Sequence, residues 1–204
     1  MAEILVRLSD ESGGALEGVL VSTSGGKNYR QNSLTEADGT FAFQSLMPGD
    51  YFLRPMMKEY TFEPPSKMVQ VEGGATVHVQ ISGVRVAYSI LGQTISLSGE
   101  PEGDVMVEAI GTGEKCLGLQ EEALSDAHGA FRIRGLAPNC DYTLQLKKGT
   151  GVNEHVDRSL PATRSVRIES DDFRGIKVVV LRPFLQMDVT VYVTTDRRYL
   201  PSLS

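Results

Sequence analysis

Three histidines, two cysteines and two groups of carboxylates are the side chains here whose types could do chemistry, and their spacing decides what chemistry that would be. His78 alternates with Val77 and Val79 in a strand-like run, His128 sits beside a glycine in a turn, and His155 lies in a polar loop. A metal site needs ligands at short, patterned spacings, and these three fall in different elements, so exposed and inert is the expectation. Glu100, Glu102 and Asp104, then Asp171 and Asp172, lack the ordered oxygen spacing of a calcium loop. They read as solvated edges of the kind that discourage stray strand pairing. Gly-x-Ser-x-Gly, His-Glu-x-x-His and the phosphate-cradling Gly-x-x-x-x-Gly-Lys-Ser/Thr are absent. Gly25-Gly26-Lys27 is followed by Asn28 and lacks the first glycine, which leaves Lys27 a solvated loop residue. No catalytic residue, metal ligand or cofactor is expected.

Cys116 and Cys140 lie 24 residues apart (140 − 116 = 24). A bridge of that span would constrain the unfolded chain by about 3 kcal/mol on the entropic account. Two thiols do not establish an oxidising compartment, and a pair of free half-buried cysteines is the equal alternative. Sugar binding by a β-sandwich calls for exposed aromatic platforms. With no Trp in the chain, Tyr29, Tyr60 and Phe62 are the candidates, although an aromatic beside Pro64-Pro65 more often packs its own loop.

The formal charge of −6 arises from 26 acidic and 20 basic residues, and no run of Lys or Arg is long enough to track a phosphate backbone, so nucleic acid is not an expected partner. No segment approaches the eighteen or so consecutive apolar residues of a membrane helix, and Met1 to Ile4 lacks the basic and apolar regions of a leader. Taken alone the chain reads as soluble.

The positions are set by a repeated stretch. Asp38-Gly39-Thr-Phe41-Ala-Phe43, Leu46, Pro48-Gly49 and Tyr51 recur as His128-Gly129-Ala-Phe131-Arg-Ile133, Leu136, Pro138-Asn139-Cys140 and Tyr142. The glycines, phenylalanines, leucines and prolines keep one offset (129 − 39 = 90). Such a period means two like domains. Asp38-Gly39 is a hairpin signal, Phe41, Phe43 and Leu46 are core, and Pro48-Gly49 is a turn with glycine in the left-handed position. Tyr51 and Tyr142 then match the tyrosine corner of immunoglobulin-like sandwiches, in which the hydroxyl bonds to upstream backbone.

Around this stretch, period-two runs at Ile4–Leu8, Val19–Val21, Val69–Val71 and Val77–Ile81 read as strands, and Ile90–Ile95, Val105–Ala109, Val166–Ile168 and Ile176–Val180 repeat them. Glu121 to Leu124 is the one stretch that reads as a helical turn. Gly83 to Val86 is a tight linker, and Lys147 to Leu160 is a lengthened loop. The expected fold is all-β, with tandem immunoglobulin-like Greek-key β-sandwiches of transthyretin or carboxypeptidase-regulatory-like type. Residues 1–84 and 85–183 form one sandwich each, and 184–204 begin a third with the run Leu185 to Val193.

Tyr51-Phe-Leu-Arg-Pro-Met-Met-Lys-Glu-Tyr60-Thr-Phe-Glu-Pro64, Ser96-Leu-Ser-Gly-Glu-Pro101, Phe131-Arg-Ile-Arg-Gly-Leu-Ala-Pro138-Asn-Cys140, Arg182-Pro183 and Tyr199-Leu-Pro201 resemble the membrane-proximal luminal repeats of the nodal modulator family. The Arg-Pro-Met-Met-Lys-Glu string is the specific part, and the turn motifs are shared more widely. The resemblance covers nearly the whole chain. It implies a single-pass endoplasmic reticulum protein carrying a luminal string of sandwiches, in a complex with nicalin and a small multipass partner at the translocon. That complex supports insertion of multispanning proteins and has a link to nodal signalling. It further implies neighbouring sandwich repeats as partners, contact with the membrane only through parts outside this chain, and a luminal setting that favours the Cys116–Cys140 bridge.

The function expected is a non-enzymatic structural and protein-interaction module. A carbohydrate-binding sandwich is the alternative. A sandwich locked by a Lys–Asn isopeptide is disfavoured, because Ile4 to Leu8 offers no Lys and Val77 to Ile81 no Asn.

Overall fold

A computed structural model describes residues 1–183, and the regular structure over that span is all strand. The expected start of a third domain, with its Leu185 to Val193 run, lies outside the described residues. The strands are β1 (Ala2–Asp10), β2 (Leu20–Gly25), β3 (Tyr29–Leu34), β4 (Thr40–Leu46), β5 (Gly49–Met56), β6 (Tyr60–Glu63), β7 (Lys67–Val71) and β8 (Thr76–Arg85). They are followed by β9 (Tyr88–Ile95), β10 (Met106–Thr112), β11 (Gln120–Leu124), β12 (Ala130–Leu136), β13 (Cys140–Leu146), β14 (Arg158–Leu160), β15 (Thr163–Ile168) and β16 (Phe173–Leu181).

Sheets β4-β1-β8-β6 and β3-β2-β5-β7 face each other, and β12-β9-β16-β14 and β11-β10-β13-β15 repeat the pair. Each sandwich has its own apolar core, as strands that alternate inward and outward require. Ile4, Val6, Leu8, Phe43 and Leu53 are fully buried in the first, and Ile90, Val107, Ile133 and Ile168 in the second. Phe41 meets Phe43 edge-on at 5.0 Å.

Pairing differs from the sequence expectation in several places. Asp38-Gly39 does not join a hairpin, because β3 pairs with β2 while β4 pairs with β1, so the turn carries the chain from one sheet to the other. Pro48-Gly49 crosses between sheets too, leaving β2–β3 and β10–β11 as the only sequence neighbours that pair among the described residues. The turn glycine is needed for a packing reason. Gly39 (φ 76°) and Gly129 (φ 70°) lie so close to the carbonyl oxygens of Leu8 and Thr94 that a Cβ would collide, and their own carbonyls accept the Leu8 and Thr94 amides at 2.9 and 2.8 Å. Gly49 lies at φ 152°, outside the left-handed α region, whereas Asn139 in its place is at 58°.

Glu121 to Leu124 is strand, not a helical turn, because it forms the β11 ladder from Met106↔Leu124 to Ile110↔Gln120. The linker is shorter than Gly83 to Val86: β8 runs through Arg85 and β9 starts at Tyr88, so Val86 and Ala87 alone connect the sandwiches. The Lys147 to Leu160 loop ends in strand β14, and β6 is its counterpart in the first sandwich. Sequence reasoning also missed that β1 runs parallel to β8, and β9 to β16.

Candidate functional site at the joint between the sandwiches

The turn between β5 and β6 ends the family-specific string Arg54-Pro-Met-Met-Lys-Glu59, and it points at the second sandwich. Glu59 is fully buried there. Its backbone carbonyl accepts both connector amides, Val86 at 2.9 Å and Ala87 at 3.2 Å. Its Oε1 accepts the Ser89 hydroxyl at 2.9 Å and Nη2 of Arg132 at 3.0 Å, with Nη1 of Arg134 at 3.7 Å. The Ser89 oxygen in turn accepts Nε of Arg132 at 3.1 Å. One residue of the first sandwich thus holds the connector by its main chain and β9 and β12 of the second by its carboxylate. A carboxylate removed from water persists only when paired and hydrogen-bonded, which the two guanidinium groups and Ser89 supply to Oε1; Oε2 has no partner.

A second contact runs beside it. Arg85, the last residue of β8, donates to Asp172 Oδ1, which also accepts the Ser89 amide at 2.9 Å. The Arg85 guanidinium stacks over Tyr88 at 4.5 Å and over Tyr60 at 5.9 Å from the ring centres. Burial raises the Tyr60 hydroxyl above its ordinary pKa. Arg174 approaches Asp172 Oδ2 at 3.4 Å, and Lys58 pairs with Glu121 of β11. Asp172 and Glu59 therefore belong to the joint. Sequence reasoning placed Asp172 on a solvated edge, because the groups that hold it lie far off in the sequence: Arg85 at the end of the first sandwich and the Ser89 amide at the start of the second.

The remaining candidates lie apart. His78, His128 and His155 are exposed on separate elements. Glu102 pairs with Arg182 at 2.6 Å, which raises the Arg182 pKa. No group of three His, Cys, Asp or Glu among the described residues is placed to hold a metal ion. Tyr29, Tyr60 and Phe62, the candidate sugar platforms, are packed: Tyr29 edge-on against Tyr51, Tyr60 beneath Arg85, and Phe62 in the core. Cys116 and Cys140 form a disulfide, with Cα atoms 5.9 Å apart. It ties the turn leading into β11, the strand that presents Glu121 to Lys58. The Tyr51 hydroxyl donates to the Met47 carbonyl at 2.9 Å, and the Tyr142 oxygen accepts the Ala137 amide at 2.9 Å. In the second copy Asp126, not His128, caps the turn, its Oδ1 accepting the His128 and Ala130 amides at 2.9 Å each.

Together these features define a tandem of β-sandwich domains joined through a buried, charged contact. The chain belongs to the nodal modulator (NOMO) family. Residues 5–84 match the model for the second β-sandwich domain of NOMO1-like BOS complex subunits, so a membrane-proximal position rests on the sequence resemblance alone. The chain is 40% identical to human BOS complex subunit NOMO3 over 203 residues, and 30% identical over 201 residues to nicotinic receptor-associated protein 4 of Caenorhabditis elegans. It aligns over 100% and 96% of its own length and spans 16% and 18% of theirs. Among solved structures, the shaft pilin SpaA of Lactobacillus rhamnosus GG is similar over 91% of this chain and 99% of the pilin, at TM-score 0.42 and 10% identity, too distant to bear on function.

Proposed function

We propose that the chain is a non-enzymatic structural and protein-interaction module, a pair of sandwiches held at a set orientation within a larger luminal string. On this reading it serves a membrane protein complex of the endoplasmic reticulum, a setting proposed from the sequence resemblance and supported by its similarity to proteins named as BOS complex subunits. A nicalin-like subunit is the proposed partner and multipass protein biogenesis at the translocon the proposed setting, both from the resemblance of its sequence strings. The observation that carries the reading is Glu59, a fully buried carboxylate spent on holding two domains together. A flexible tether would need no such group, because burying a charge costs several kcal/mol before its partners offset it.

The test is orientation. In residual dipolar couplings the two sandwiches of the wild-type chain should share one alignment tensor, and small-angle scattering should fit one conformation. Glu59→Ala should separate the tensors while each sandwich stays folded, since Arg132 and Arg134 keep 36% and 40% side-chain exposure and can rehydrate. Two different tensors in the wild-type chain would end the spacer reading.

A further inference from the structure

The two sandwiches carry equivalent outer sheet faces of unlike chemistry. On β3-β2-β5-β7, the ladder aligns Leu34, Leu20 and Met56 in one row and Phe52 with Met68 in another. Leu34 is 58% exposed and Met68 69%, and Phe52 and Met56 are exposed as well. Arg54 lies between the rows on β5, and among the described residues it has no ion-pair partner. At the β6 end the first row continues into a groove of about 580 Å³ lined by Met56, Tyr60, Phe62 and Pro65, with Arg54 and Lys58 also lining it.

The fold does not demand this surface. In the second sandwich Thr143 and Ser165 stand paired where Phe52 and Met68 do. Glu108 there accepts the Gln120 and Gln145 amides at 2.8 Å each, and Lys147 pairs with Glu122. The Leu124–Met106 pair remains, but Asn153 of the lengthened loop bonds the Met106 amide and carbonyl at 2.8 Å each. One architecture therefore folds with a polar, internally satisfied face. The apolar rows of the first sandwich are an addition, and contiguous exposed apolar surface marks an interaction site.

We propose that this face and its groove dock a segment of a partner protein that is apolar and acidic. Its apolar side chains cover the two rows and fill the groove, and its carboxylate meets Arg54. Charge selects the occupant. Arg30 and Arg54 lie on the face, with Asp50 at its far end as the one acid, while the chain as a whole carries −6. The rows stand about 13 Å apart, four residues along a strand, with Arg54 midway, so the partner's acid must fall between two apolar contacts. This rests on the interaction-module reading above and names its surface.

A library of displayed random peptides, selected on the 204-residue chain, tests it. Enriched peptides should carry Asp or Glu between apolar residues. Arg54→Glu and, separately, the exposed Met68→Glu should each weaken their binding about tenfold or more. Replacing the peptide acid by Lys should restore affinity to the Arg54→Glu variant. Both variants alter exposed side chains, and unchanged thermal melting confirms that they fold. Peptides that bind equally well to both variants overturn this face and leave the interaction module standing. A chain that enriches no peptide counts against both. Concentration-dependent dimers abolished by Met68→Glu overturn the proposal by making a second copy the occupant.

Discussion

The two sandwiches close the same end by different means. In the first, the β2–β3 turn is short, and Tyr29 at the start of β3 packs edge-on against Tyr51 at 5.5 Å. In the second, the β10–β11 turn is longer, and Cys116 within it bonds to Cys140 at the start of β13. Both devices pin the one hairpin of the sandwich to the strand that carries the corner tyrosine. An aromatic contact and a covalent bond are thus alternative solutions, and what the repeat conserves is the corner beneath them: Tyr51 bonded to Met47, Tyr142 to Ala137.

The largest effect that separates the copies should come from the disulfide. Replacing Cys116 and Cys140 by serine releases a loop of 24 residues of separation and should cost the second sandwich about 3 kcal/mol. The first sandwich should keep its stability, as read by amide hydrogen exchange in β1, β5 and β8. Equal loss of protection in both would mean that the joint makes them one folding unit, and the comparison between two closures would no longer stand.

The parts legible in the sequence were those decided locally. Period-two runs located β1, β2, β7, β8, β9, β10, β15 and β16, and Asp-Gly and Pro-Gly marked chain reversals. Sheet membership was not legible, because Asp38-Gly39 reverses the chain equally well within a sheet or across two. β6 and β14 escaped notice since four- and three-residue strands show too little alternation and exist through pairing with β8 and β16. Glu121 to Leu124 looked helical because Glu-Glu-Ala-Leu are locally good helix formers, a preference that pairing with β10 overrides. Glu59 and Asp172 were hardest of all: an acidic side chain reads as solvated until its partners are known, and the side chains holding Glu59, like Arg85 on Asp172, come from the neighbouring sandwich. The one available signal was that the most specific string, Arg54 to Glu59, has no role in the repeat.

A smaller effect should come from the first closure. Tyr29→Ala removes one ring of the edge-on pair and should destabilise the first sandwich by about 1 to 2 kcal/mol, leaving the second unchanged. Tyr29→Phe should be nearly neutral, because the hydroxyl bonds only the exposed Gln31. Urea denaturation followed by signals from each sandwich checks both. A Phe variant as damaging as the Ala variant would transfer the closure from ring packing to the hydroxyl.

The smallest effect lies in the turn carboxylates. Asp38 Oδ1 accepts the Thr40 hydroxyl at 2.7 Å and its amide at 2.9 Å, and these bonds, the hydroxyl first, hold its pKa below the ordinary carboxylate value. The Ser12 hydroxyl, followed by the Gly14 amide, does the same for Asp10. A carboxyl lowered in the folded state adds stability that is present above its unfolded value and is lost as pH falls through the folded one. The first sandwich should therefore weaken from about pH 4 downward, slightly since both groups are exposed, and Asp10→Asn with Asp38→Asn should flatten that limb. The copies offer a sharper version. Asp38→His reproduces the turn residue of the second sandwich without its cap, and should lower the urea midpoint at pH 7. Adding Glu36→Asp puts a carboxylate where Asp126 stands and should restore the midpoint, since that oxygen reaches the two turn amides from two residues earlier. Failure of the double variant to recover would show that the two turns are not interchangeable despite their shared glycine.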